Sequence, residues 1–553
     1  MTAPEPQQSV TEETPLLEAS IQGADNGEDS PRVRVTRFRG TAIVGAMGVL
    51  LFILTTNMSM MATAQSDIAA DLDAFSETTW FNSAFLIAMS SITPLSGRLA
   101  QIFTPRVYIL FSCTLLSVGL FVTATAPTLA IFLLGRVLTG CGAGGQMVIA
   151  IILALDLTSR NRRGLFIGMI SAGMTVGVSS GAVLAGLLTP AYGWRSMFWL
   201  QAPAALLVGP VLFSAIPKRA EDENVDARAL LGKLVKVDYA GALTLTLSVF
   251  LLLASLSASE IQTAPIIFSF IFLGIFLLIE RSTTEPIIPI EVLSMRSVLL
   301  TCLSGVACMM ARWSVLFYSP VYALVVRDWS PASAGLILVP TNAGFGLGGL
   351  LVGWVHIRGE GGYYLSALTS YLLFALSNLL LAILSTPTSS PLLYITATFF
   401  SGFSIGAIMN YALSHVLHLT SPEIHYVVSA LIGMSRGFAG SFGAAIGGGF
   451  FQRTLKEGLE TGFAEHDITG PGKEELVRKL LGSPALAKSL EGVERAVAVR
   501  SYEGAVKMLL LGSCMLTLLA AVAQAGTGWR GDRHKAGKRS RDEGLEGGAG
   551  EEE

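Results

Sequence analysis

An all-α polytopic membrane protein with about fourteen transmembrane helices is the fold class this sequence predicts, and three observations predict it. Of 553 residues, 52% are hydrophobic and only 14% charged, whereas a soluble chain carries about 25% charged residues. The apolar residues fall in repeated runs of roughly 20, the length a helix needs to cross a hydrocarbon core about 30 Å thick. The charges collect in tails and short connections, with a sign bias that sets membrane topology. The net charge of −3 mostly sums two mildly acidic tails, and no nucleic-acid partner is expected.

Taken in order, residues 1–39 are polar and rich in Ser, Glu, Gln and Pro, as in a disordered cytosolic tail without a cleavable signal peptide. Apolar runs then predict spans at about 41–63, 78–97, 107–125, 129–153, 165–188 and 196–216, inside a first unit at 40–216. A charged stretch at 217–237 reads as a cytosolic linker, followed by two extra spans, 238–257 and 264–281, within 238–282. The remaining spans are 298–325, 333–356, 363–385, 391–413, 426–450 and 503–525, in a second unit at 298–525. Residues 451–502 read as a long non-cytosolic loop carrying one interfacial helix, since Leu476 with Leu480 and Val477 with Leu481 have helical spacing amid charge. Residues 526–553 form a second tail.

Arg98, Arg106, Arg160, Arg162 and Arg163 fall in the first connections on one side, and Lys218, Arg219, Arg228, Lys233, Lys236, Arg281, Arg296 and Arg358 in later ones. The opposite short loops hold only Arg195 and Arg327. This bias places both termini in the cytosol. The five cysteines (Cys113, Cys141, Cys302, Cys308, Cys514) all lie in apolar runs without metal-ligand spacing, so they read as small packing residues, with no metal and no cofactor expected.

The most informative stretch is LLGRVLTGCGAGGQ, residues 133–146. Arg136 stands in an apolar run, a turn before Gly140, with Gly142, Gly144 and Gly145 following. An arginine at membrane depth costs roughly 2.5–3.5 kcal/mol on insertion scales, so it is expected to face the bundle interior or a wet cavity. The glycines let neighbouring backbones approach and offer it carbonyls. Gly177, Gly181 and Ala185 in GVSSGAVLAG fall four apart on one helical face, with Gly186 following, a second small-residue stripe read either as a packing seam or as one that slides. Arg312 and Arg436 lie at similar depth, while the carboxylates Asp67, Glu77, Asp156, Asp238 and Glu280 fall near or beyond span ends. Three buried arginines without counter-charges imply a cavity of positive potential for an anion or carboxylate, unless carbonyls and amides satisfy each one. Asn57, Gln146, Asn342 and Asn410 are neutral polar residues inside spans, suited to line that cavity or to hydrogen-bond between helices.

Several matches are set aside. GMSRG (433–437) fits a nucleophile-elbow spacing and GFGLGG (344–349) a dinucleotide fingerprint, but both need a strand–turn–helix context that membrane helices do not provide. His415, His418 and His425 read as an interfacial group rather than a metal site. No nucleophile–base set is present, so the chain is not expected to be an enzyme.

GRLAQIFTPR (97–106) is similar to the loop motif G-x-L-a-D-r-x-G-r-r, and carries Gly97, Arg98 and Arg106. LLGRVLTGCGAGG is similar to the fourth-span motif R-x-x-q-G-x-G, and GVSSGAVLAG to the fifth-span antiporter motif G-x-x-x-G-P-x-x-G-G. On these residues, with GWRSMFWLQAP, EPIIPIEVL and WSPASAGLILVP, the chain resembles a major facilitator superfamily transporter of the fourteen-span drug:proton antiporter type, akin to fungal vacuolar amino acid and multidrug transporters. The resemblance covers about residues 40–525. It implies two pseudo-symmetric six-helix bundles with two helices inserted between them, a central site reached alternately from each side, and a role for Arg136 in proton transfer or gating, or as a static brace. The sequence departs from the pattern at Gln101 (for Asp), Thr104 (for Gly) and Ala182 (for Pro), and Asn57 stands where the first span usually has a coupling aspartate.

The expected function is secondary transport of amino acids or related metabolites at the vacuolar membrane, with protons as possible co-substrates. Plasma-membrane efflux of drugs or toxins is the alternative, and a non-transporting receptor a reading of another class. EETPLL (Glu12, with Leu16 and Leu17) has the form of an acidic dileucine signal that a sorting adaptor would read from a flexible tail.

Overall fold

The computed structural model describes residues 37–156, 163–217, 237–257, 261–283, 290–356, 363–421, 424–466 and 472–528, with isolated positions 232, 286 and 288. Glu12, Leu16, Leu17 and most of the 217–237 linker lie outside the described residues. Among the described residues the structure is helical, without strands.

The first bundle comprises α1 (Arg37–Asp71), α2 (Thr78–Ile102), α3 (Thr104–Ala124), α4 (Leu129–Asp156), α5 (Arg163–Tyr192) and α6 (Arg195–Ala215). Two further helices follow, α7 (Tyr239–Ser257) and α8 (Thr263–Ser282). The second bundle comprises α9 (Arg296–Val325), α10 (Pro331–Leu351), α11 (Tyr364–Leu384), α12 (Pro391–Leu419), α13 (His425–Glu465) and α14 (Gly492–Ala525). Helix ends coincide with local stop signals. Gly193, at φ +74°, turns the chain out of α5, and the Ser330 side chain caps α10 by accepting from the Ser333 N–H at 3.2 Å ahead of Pro331.

Eleven of these helices are long and apolar enough to cross a membrane. α2, α5 and α13 complete the expected fourteen. These three carry contacts between the bundles, α2 against α13 and α5 against α10. Ser, Gly and Asn there allow close backbone approach where leucine would face only lipid.

The pseudo-symmetry is visible in the packing. In the first bundle α1 packs on α5 and α6, α2 on α4, and α3 on α4 and α6. In the second, α9 packs on α13 and α14, α10 on α12, and α11 on α12 and α14. The inserted pair packs on itself through the Ser269 hydroxyl, which donates to the Ser248 carbonyl at 2.8 Å, and α7 leans on both α2 and α13.

Residues 451–502 differ from the long loop expected. α13 continues to Glu465, a helix runs Lys473–Gly482, a 3-10 turn follows at Pro484–Lys488, and α14 already begins at Gly492. The middle helix does not lie open on a lipid surface. Its Val477 and Leu480 are buried in the core of the second bundle, and Gly482 lies against Phe75 of the α1–α2 turn. Charge along this helix suggested an open surface, but Arg478 binds Asp73 of the α1–α2 turn at 2.9 Å, and from the following 3-10 turn Lys488 binds Asp328 at 3.1 Å.

Contacts between the bundles concentrate at the end that holds this strap. Gln452 donates to the Thr78 hydroxyl at 2.8 Å, Gly186 abuts Pro331 and Ala332, and the Ala485 N–H reaches Ser66 at 3.5 Å. Near mid-depth the Ser90 hydroxyl donates to the Gly437 carbonyl at 3.1 Å. Toward the opposite end, a Cβ built on Gly173, Gly346, Gly433 or Gly437 would meet nothing within 4 Å. Among the described residues the molecule is closed at the α1–α2 turn.

Candidate functional site

The interior of the first bundle is built around Arg136 of α4, which is 0% exposed. Its Nε donates to the Phe81 carbonyl of α2 at 2.8 Å, Nη1 donates to the Asn57 side-chain oxygen of α1, and the guanidinium lies 4.7 Å from the centre of the Phe85 ring. Nη2 has no partner. Asn57 in turn donates from Nδ2 to Gln201 of α6 at 3.3 Å, so one polar chain joins α2, α4, α1 and α6. The glycines make this geometry possible. Gly140 and Gly144 of α4 face the Phe85 and Met89 carbonyls of α2, while Gly142 and Gly145 face Leu116 and Ser112 of α3. A Cβ on Gly142 would lie 2.6 Å from the Leu116 nitrogen. Two seams on one helix hold α4 against both neighbours.

The stripe on α5 divides its work. Gly177 and Gly181 receive Thr55, Thr56 and Ser59 of α1, whereas Gly186 meets Pro331 and Ala332 of the other bundle.

In the second bundle Arg312 of α9 is 8% exposed and donates from Nη2 to Asn342 of α10 at 2.9 Å, with its guanidinium 4.2 Å from the Phe345 ring centre. Its Nη1 has no partner. Asn342 also makes a long 3.5 Å contact to Ser179 of α5, across the seam between bundles. Arg436 of α13 is half-buried and donates from Nη2 to the Met409 carbonyl at 2.8 Å, leaving Nε without a partner.

The remaining expected residues do not join either group. Gln146 is buried against α3, its Nε2 3.9 Å from the Cys113 sulfur. Asn410 donates to the Gly349 and Gly406 carbonyls at 3.3 and 3.2 Å and so ties α10 to α12. Gly97 sits near the end of α2 with only Val148 within reach of a Cβ, Arg106 lies over the Phe213 ring at 4.1 Å, and the Arg98 side chain lies outside the described ones. His415 is not interfacial: the end of α14 covers it, and its Nε2 lies 3.3 Å from the Thr527 hydroxyl. GMSRG and GFGLGG lie within α13 and α10.

A cavity of about 50 Å³ sits between α1, α2, α9 and α13 beneath the strap, lined by Gln65, Asn82, Tyr318 and Gln452 among others. It is far below the roughly 300–1,000 Å³ of ordinary ligand sites.

A profile of the Major Facilitator Superfamily matches residues 46–444. The chain belongs to that superfamily. It is 25% identical over 502 residues to the MFS-type transporter clz4 of Cochliobolus lunatus, covering 87% of this chain and 84% of that one. It is 23% identical to the Multidrug resistance protein fnx1 of Schizosaccharomyces pombe, covering 88% and 90%. It is 28% identical to the Vacuolar basic amino acid transporter 1 of Saccharomyces cerevisiae, over 55% of this chain and 54% of that one. In fold it is similar to a bacterial homolog of the human lysosomal transporter Spinster, in an inward-facing conformation, with a TM-score of 0.56 and 14% identity over 90% and 100% of the two chains. This protein is thus a multi-pass membrane transporter of the superfamily. A non-transporting receptor finds no support in these likenesses.

One departure from the superfamily pattern now has a structural meaning. Thr104, where the loop motif has glycine, adopts φ +66° between α2 and α3. A β-branched residue in the left-handed region is strained, which is why glycine suits that position.

Sequence reasoning missed Gln201, the Phe81 carbonyl, Ser179 and the docking of the Lys473–Gly482 helix against the α1–α2 turn. A polar residue inside the sixth span, in FWLQAP, was the available signal for Gln201.

Proposed function

We propose that this protein is a secondary active carrier of amino acids or related small metabolites at the vacuolar membrane, working by alternating access. The observation that carries the reading is that, among the described residues, contacts between the bundles gather at the α1–α2 turn and close that mouth. With the topology the arginine and lysine bias implies, the opposite mouth faces the cytosol and cargo loads from there. Rocking of the bundles about α2–α13 and α5–α10 exchanges the closed mouth for the open one.

Asn57 accepts from Arg136 where a coupling carboxylate is expected. An amide cannot carry a titrating charge, so protons, if they drive the cycle, use another route. The 28% identity to a vacuolar basic amino acid transporter and the EETPLL stretch support the vacuolar site. A second reading, plasma-membrane efflux of drugs or toxins, is supported by the relatives with broader coverage, among them a multidrug resistance protein.

The test is uptake by purified protein in liposomes with an imposed pH gradient, screening amino acids against hydrophobic drugs. Amino acid flux supports the first reading and drug flux the second; absence of any flux overturns the carrier itself. For location, replacing Leu16 and Leu17 by Ala is expected to move the protein off an internal membrane. An unchanged address removes the sorting argument.

A further inference from the structure

We propose that Arg312 and Arg436 form a receiving site for an anionic group, a carboxylate borne by the transported metabolite. The proposal rests on the carrier reading above and adds the charge that the cargo presents.

Both guanidiniums lie against one apolar cluster of the second bundle, formed by Cys308, Ala311, Tyr371 and Met409 with Phe345 packed on it. Arg312 covers the Phe345 ring, and Arg436 holds the Met409 carbonyl. Each keeps a buried nitrogen without a partner, Nη1 on Arg312 and Nε on Arg436. Arg312 is 8% exposed, so bulk water does not reach that donor. None of the ion pairs among the described residues involves either arginine. Two cationic groups in an apolar setting without a counter-ion are costly, and a guest anion removes that cost by supplying both the charge and the missing acceptors.

The geometry selects among anions. A planar guanidinium with a partnerless nitrogen suits a carboxylate oxygen, and the Phe345 ring and Met409 offer an apolar wall for the rest of the molecule. The site also has an approach. Arg436 is only half-buried, and a Cβ on Gly433 or Gly437 of the same helix would meet nothing within 4 Å.

Occupancy would reach the seam between bundles. Asn342, which holds Arg312, is the residue that touches Ser179 of α5. An anion drawing Arg312 toward itself competes with Asn342 and so bears on a contact that rocking must break.

The test is binding to the purified full chain in detergent, read as the shift of the melting midpoint. The probes are the common amino acids with their amides, and phenylacetate with phenylacetamide. At least one acid is expected to bind about tenfold or more tightly than its amide, as loss of a charged hydrogen-bond partner implies. Arg312→Gln is expected to erase that preference while amide binding remains, and Arg436→Gln, at a half-buried position, provides a second variant should the first fail to fold. Equal binding of acids and amides by the wild type, or an acid preference untouched in both variants, overturns the proposal. Liposome flux measured alongside separates the outcomes: flux without acid preference removes the anion site and leaves the carrier, and neither binding nor flux removes both.

Discussion

Arg136 in the first bundle and Arg312 in the second face the same problem, a guanidinium inside an apolar interior, and meet it differently. Arg136 has two hydrogen-bond partners and a ring, all from its own bundle, and its partner Asn57 is itself held by Gln201. Glycines on α4 bring these groups within reach. Arg312 has one partner and a ring, and that partner touches the other bundle. A cation tied several times within one rigid unit holds that unit together. A cation tied once, beside a moving seam, is left able to take a guest.

Replacing each arginine puts this contrast at risk, and the largest effect is expected at Arg136. Arg136→Ala leaves Asn57 and the Phe81 carbonyl short of a donor, a loss of about 1–3 kcal/mol for each group, and is expected to abolish flux while leaving expression largely intact. Near-wild-type uptake in liposomes would reduce Arg136 to a static brace. Next in size, Asn57→Asp places a titratable counter-charge on the guanidinium. It is expected to make flux depend several-fold more steeply on an imposed pH gradient; an unaltered dependence would show that this chain does not couple protons through the first span.

Smaller changes away from both arginines check that the contrast is local. Thr104→Gly relieves the left-handed backbone at the α2–α3 turn and is expected to stabilise the protein by about 1 kcal/mol, read as a higher melting midpoint, with binding unchanged. A lower midpoint would mean that the threonine is held by something beyond its φ. The smallest effect is expected at the strap. The Lys488 ammonium, with Arg495 beside it, holds the Asp328 carboxyl below its ordinary value of 3.8. A depressed carboxylate contributes stability above its ordinary range and loses it only as pH falls through the lowered value, so strap docking is expected to be constant between about pH 5 and 8. Limited proteolysis at the two pH values measures this, and a strap that loosens at pH 5 contradicts the assignment.

The helices were legible because crossing lipid demands long apolar runs, and fourteen long helices emerge among the described residues even where α2 and α13 dilute their apolar runs with Ser and Gly. Arg136 was legible too, as a charge where none is cheap. Its company was only half legible. Asn57 is a side chain and could be named, but the Phe81 carbonyl is backbone, which any residue supplies, so no letter in the sequence marks it. Gln146 and Asn410 look like Asn57 on paper, yet their helix faces turn them to Cys113 and to the Gly349 and Gly406 carbonyls. Depth along a helix is written in the sequence, whereas rotation about its axis is set by neighbours. The helix of the strap was legible from Leu476 with Leu480 and Val477 with Leu481, but its docking was not, because Gly482 meets the Phe75 backbone and no letter marks that fit.

The strap also makes the two mouths unequal. Tyr502 of α14 holds the Leu480 carbonyl at one side of it, and at the other Gly482 is wedged onto Phe75, where even a methyl group would sit 2.5 Å from the Phe75 Cα. Its ion pairs are solvent-exposed and weak, so its grip comes from fit rather than charge. Tipping the bundles apart there means lifting a whole helix off its seat, like a clasp opposite a hinge. Raising salt would do little to open it.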